Sequence, residues 1–89
     1  MPDRETIRQT LIELIENDLG ERPASAADDV NLREGLGLDS VDIVGIVMQI
    51  EARFRIRLTH PELEKVACVG DLLELIQAKV AAGPEAAAA

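Results

Sequence analysis

Apolar residues return every three to four positions in three stretches of the chain, the first two each preceded by an aspartate suited to helix capping. In the first, Ile7, Leu11, Leu14 and Ile15 keep helical spacing while Arg4, Arg8, Glu13 and Glu16 fall elsewhere. This predicts a helix over residues 4–19, with Asp3 as N-cap, Gly20 as C-cap and Pro23 unable to continue it. In the second, Ile43, Ile46, Val47, Ile50 and Phe54 form a stripe over residues 40–54. Asp39 caps that helix and Asp42, three residues on, supplies a carboxylate variant of the capping box. In the third, Leu72, Leu73, Ile76 and Val80 mark a helix over residues 69–80. Between the last two, Pro61 opens a short helix over residues 61–66, capped by Thr59 or His60.

The connection over residues 23–39 is irregular, with a short helical turn expected around residues 25–28. A long loop in a small domain needs anchors, and Val30, Leu32, Leu36 and Leu38 are spaced to provide them. No strand pattern and no internal repeat is present, and residues 83–89 lack periodicity and read as a flexible tail. The predicted fold is all-α: one domain over residues 1–82, a small four-helix bundle of three longer helices and a short third one, with a long first loop. The second helix has a further apolar group, Val41, Val44, Met48 and Ala52, facing largely away from its core stripe. Either the short third helix covers part of that face or a partner does.

Composition narrows the function. With 47% apolar residues but one Phe and no Trp or Tyr, the core is aliphatic, which suits helix packing over a strand-rich sandwich. A net charge of −8 has the wrong sign for nucleic acid and favours partners with basic patches. Cys68 is the single cysteine, so no internal disulfide forms, and the chain fits a reducing cytoplasm. No run approaches the roughly 18 apolar residues of a membrane span, and the first ten residues do not read as a signal peptide.

Catalytic and metal chemistry find little support. Ser40 is the candidate nucleophile, yet the only histidine, His60, precedes a proline in a loop, and no G-x-S-x-G turn surrounds the serine. One His and one Cys cannot make a zinc site. The segment "GLGLDS" is neither a dinucleotide-binding nor a Walker sequence, and "DDVNLREGLGLD" lacks the ligand order of a calcium loop. No catalytic and no metal-binding residues are therefore assigned.

Taken alone, Asp-Ser before an apolar run is a helix cap. In its wider context, "LGLDSVDIVGIVMQIEARFRIRL" resembles the prosthetic-group attachment segment of acyl carrier proteins, through Leu36, Gly37, Asp39, Ser40, Val41, Asp42 and Phe54. "PELEKVACVGDLLELI" is similar to the family's third and fourth helices, and the resemblance spans residues 4–80. It implies that Ser40 carries a 4′-phosphopantetheine arm, with Asp39 and Val41 beside it, added from coenzyme A by a phosphopantetheinyl transferase. The serine is then a tether, and the protein a carrier of thioester-bound acyl groups, not an enzyme. The helix N-terminus, with free N–H groups and the positive dipole end, suits a phosphodiester. Asp39 and Asp42 make better sense as caps and as contacts for a basic enzyme or its metal ion.

The resemblance also implies docking of acyltransferase, ketosynthase or acyl-ligase enzymes of fatty-acid, polyketide or related biosynthesis on the second helix, through Asp42, Val44, Met48 and Glu51. It implies a monomer without membrane insertion. Ile43, Val47, Ile50, Leu63, Val66 and Ile76 either line a pocket for a bound acyl chain or form plain core. The alternatives are an aminoacyl or peptidyl carrier, and an unmodified helical interaction domain using the same outer face.

Two features depart from the family pattern, in which the second helix and following loop are strongly acidic. Here Asp39, Asp42 and Glu51 are balanced by Arg53, Arg55 and Arg57, and Gly45 stands where a glutamate is common. Both point to a carrier dedicated to one pathway. Cys68 also replaces a threonine that often caps the last helix; its thiol is a weaker acceptor and is expected to be half-buried and inert.

Overall fold

The computed structural model describes residues 3–23 and 25–82, so the tail expected over residues 83–89 lies outside the described residues. Four helices follow in order: α1 (Arg4–Leu19), α2 (Ser40–Phe54), α3 (His60–Glu64) and α4 (Val69–Ala82). Among the described residues no strand forms; the only β pairing is an isolated bridge between Asn31 and Cys68.

The helix ends follow from local chemistry. Asp3 accepts the Thr6 amide at 2.8 Å, and Gly20, at φ 83°, donates its amide to the Glu16 carbonyl at 2.8 Å. Thr59 and Glu62 form a full capping box at α3, with Pro61 inside the first turn. That helix starts one residue earlier than its sequence indicates and ends at Glu64, because Lys65 and Val66 close onto Glu62 and Leu63 by tighter three-residue bonds.

The three longer helices bury their stripes together, α1 packing against both α2 and α4. Ile7, Leu11, Ile15, Ile50, Val69, Leu73 and Ile76 are the most completely enclosed side chains. Ile43 and Phe54, read as stripe positions, are half-buried and pack against this core from its edge. Among the described residues no buried side-chain polar atom lacks a partner.

The long first connection is pinned as its apolar spacing requires. Leu32, Leu36 and Leu38 are buried and Val30 packs against them half-buried. The helical turn expected over residues 25–28 does not form; a turn at Asp28 and Asp29 stands in its place, closed by the Val30 amide on the Ala27 carbonyl. Two further ties hold the loop. Asp28 receives Arg4 at 2.7 Å and Arg8 at 2.6 Å, while Arg8 also donates to the Ala26 carbonyl at 2.6 Å. On the other side, backbone bonds run from Leu32 to Ala67, from Val69 to Val30 and from Gly70 to Asp28. The loop is thus clamped between the start of α1 and the start of α4.

Candidate functional site

The approach to α2 is a folded turn. The Asn31 carboxamide accepts the amides of Arg33 and Glu34, each at 2.9 Å, and the Asn31 carbonyl accepts those of Gly35 and Leu36. The two glycines of "GLGLDS" serve different needs. A Cβ on Gly35 would lie 2.6 Å from Val30 Cγ1 and 2.7 Å from the Asn31 carbonyl oxygen, so backbone packing forbids one. Gly37 has open space around it but holds φ 73°, the left-handed region that side chains disfavour. With Leu36 and Leu38 buried on either side, the chain is delivered to Asp39 in one fixed orientation.

Asp39 is the N-cap. Its carboxylate accepts the Asp42 amide at 2.9 Å, and Asp42 returns the contact from the Asp39 amide at 3.2 Å. Ser40 therefore occupies the first helical position, exposed, with its hydroxyl at the positive end of a fifteen-residue helix. The amides of Ser40 and Val41 have no helical acceptor, as at any helix start. An exposed serine in this setting fits a phosphodiester linkage to a prosthetic group.

A third carboxylate joins the site. Asp18, on the last turn of α1, meets Asp42. Asp42 is held below the usual carboxylate range, first by the Asp39 backbone amide and then by accepting from Asp18 when Asp18 is protonated. Asp18 is pushed upward by that same hydrogen bond, then by burial and by the like charges of Asp42 and Asp39. The sequence holds no local sign of Asp18, since only the α1–α2 packing brings it there. Among the described residues no cluster of His, Cys, Asp or Glu could hold a metal ion.

The outer face of α2 is uncovered. Val41 is 79% exposed, Val44 58% and Met48 63%, with Ala52 exposed beyond them. The short α3 does not shield it. Glu51, by contrast, is half-buried and accepts the Leu58 amide at 2.8 Å, tying the segment after α2 back onto the helix. Val47, Ile50 and Ile76 belong to the packed core, with Ile43, Leu63 and Val66 at its margin. Cys68 is half-buried, and the carboxylate of Asp71 accepts the Ala67 and Cys68 amides at 3.1 and 3.4 Å. His60 is exposed and pairs with Glu64. No helix among the described residues is long and apolar enough to cross a membrane.

Residues 9–76 match the profile of a family described as a phosphopantetheine attachment site. Over 80 residues the chain is 32% identical to an acyl carrier protein of Thermotoga maritima, covering 90% of this chain and 99% of that one. It is 35% identical over 65 residues to an acyl carrier protein of Wolinella succinogenes, covering 73% and 86%. Among solved structures, the crystal structure of an acyl carrier protein from Thermotoga maritima superposes with a TM-score of 0.80 at 25% identity, covering 89% of this chain and 92% of that one. The solution structure of a holo acyl carrier protein from Geobacter metallireducens shares the fold, with a TM-score of 0.74 at 20% identity over 84% and 86% of the two chains.

Proposed function

The chain belongs to the acyl carrier protein family, whose members are carriers and not enzymes and hold a covalent 4′-phosphopantetheine group, and on that premise we propose that Ser40 is the attachment residue of a discrete carrier dedicated to one acyl-processing pathway. The observation that carries the assignment is the exposed Ser40 at the first position of α2, inside the segment that matches the family. When bound, the group supplies a terminal thiol that holds acyl units as thioesters.

Each neighbouring residue has a part in presenting that serine. Gly37 turns the chain, Leu36 and Leu38 anchor the turn, and the Asp39–Asp42 box fixes where the helix begins. Val41 stands beside the serine as exposed apolar surface, and Asp39 and Asp42 flank it with negative charge that suits a basic phosphopantetheinyl transferase. Val44 and Met48 continue the outer surface toward the acyl-loading and acyl-processing enzymes, of acyltransferase, ketosynthase or acyl-ligase type. Glu51 borders it from the turn that holds the 55–58 segment. We place the reaction cycle in the cytoplasm.

Incubation with coenzyme A and a broad-specificity transferase, followed by intact mass measurement, tests the assignment. The expected result is a gain of the arm's mass in the wild type and none in Ser40→Ala, with both proteins equally folded by circular dichroism. Absence of the gain with several transferases would favour an unmodified interaction domain, and a gain that persists in Ser40→Ala would move the attachment elsewhere.

A further inference from the structure

The outer surface of α2 is electrically polarised. Its amino end carries Asp39 and Asp42, with Asp18 of α1 beside them, and its middle is apolar through Val44 and Met48; Arg53 stands on the last turn, on the flank toward Leu14, and Arg55 and Arg57 follow just beyond the helix. All three arginines are exposed and, like Arg33 and Lys65, make no ion pair among the described residues, but only these three cluster within five residues.

Helix electrostatics account for one of the three. A cation on the last turn is favoured by the carbonyl end of the helix, which covers Arg53 but not the two arginines beyond the helix. Those two are held in place by structure. Ile56 and Leu58 are buried, so Arg55 and Arg57 alternate outward, and the segment is fastened by the Ile56 amide on the Glu51 carbonyl and the Leu58 amide on the Glu51 carboxylate. Arg55 is the C-cap at φ 57° and ψ 49°, the only non-glycine at positive φ among the described residues. Glycine is the usual residue there, and a side chain kept in that conformation against its strain is consistent with use of that side chain.

We propose that this face docks a partner protein that sets carboxylates against Arg53, Arg55 and Arg57, an apolar anchor over Val44 and Met48, and no carboxylate against Asp39 and Asp42. Such a partner is acidic where α2 ends and uncharged or basic beside Ser40, so the polarity fixes the direction in which it lies along the helix. A uniformly basic partner is repelled at the carboxyl end. This deepens the carrier reading and rests on it for its purpose, but its physical content is testable apart from the arm.

Two synthetic amphipathic peptides of one apolar face, made mostly of leucine, serve as probes. One carries three glutamates at one end, and the other has glutamines there. Titration into the 15N-labelled, arm-loaded protein at low salt is expected to show the glutamate peptide binding about tenfold tighter, as three exposed charge pairs allow. Shift changes should run through Val44, Met48 and residues 53–57, and the advantage should vanish at high salt and in Arg53→Gln/Arg55→Gln/Arg57→Gln. Equal affinity of the two peptides, or an advantage that survives in the triple variant, overturns the inference. Loading of Ser40 is scored by mass on the same samples, with the unloaded protein titrated if none occurs. Failure to load sinks the carrier reading alone; loading without the glutamate preference sinks this inference alone.

Discussion

Replacing Gly45 with alanine should stabilise the protein. Gly45 lies in the interior of α2, where glycine is less favourable than alanine by about 1 kcal/mol. A Cβ built on it meets nothing within 4 Å, so no packing term opposes the gain. An increase of about 1 kcal/mol corresponds to a rise in Tm of roughly 4–8 °C for a domain of this size. In urea the midpoint should rise with an unchanged slope, because the surface exposed on unfolding hardly changes. Gly35→Ala is the matched control. There the same methyl group would overlap Val30 and the Asn31 carbonyl oxygen, and the change should lower stability by roughly 1–3 kcal/mol. If Gly45→Ala left the midpoint unchanged or lowered it, the helix would not be limited by glycine at that position. If both variants moved in the same direction, the reasoning from local space would be refuted.

Other consequences follow from the caps and the ion pairs. Glu62 is drawn down to about 2 by Lys79, 2.8 Å away, and by the Thr59 backbone and hydroxyl. Its stabilising contribution is therefore complete above the ordinary glutamate value of 4.5 and is lost as pH falls toward 2. An acid titration followed by far-UV circular dichroism should unfold Lys79→Met at higher pH than the wild type; coincident curves would remove the pair from the acid response. Asp18, held upward, acts with the opposite sign: its contribution is present at low pH and fades as pH rises through its folded-state value, so Asp18→Asn should gain stability relative to wild type at neutral pH in thermal melts. Arg55→Gly relieves the left-handed cap and should raise stability by about 0.5–1 kcal/mol in urea melts, while weakening binding of the glutamate peptide. Cys68→Thr should be neutral or slightly stabilising, since the new hydroxyl accepts better than the thiol at the start of α4; a lower Tm would show that the thiol packs in a way a hydroxyl cannot replace.

What could be read from the chain alone was whatever is encoded within one or two helical turns. The Asp3, Gly20, Asp39–Asp42 and Thr59 caps are all contacts between residues three or four apart, and the apolar stripes of α1, α2 and α4 follow from helical periodicity. The same holds for the proposed attachment segment, most of whose residues lie between Leu36 and Asp42. Leu32, Leu36 and Leu38 were also legible as anchors, because an unpinned loop of that length would be apolar without cover. Tertiary structure alone decided where the loop is fastened, through Arg4 and Arg8 on Asp28 and through the Asn31–Cys68 bridge, all long-range pairings between segments. It also brought Asp18 to Asp42, turned Glu51 onto Leu58, placed Arg55 in the left-handed region, and left Val41, Val44 and Met48 open to solvent. The physical reason is range. Propensity and capping act between neighbours in the chain, whereas the partner of a long charged side chain, or the shelter of an apolar face, depends on which segments the whole fold brings side by side.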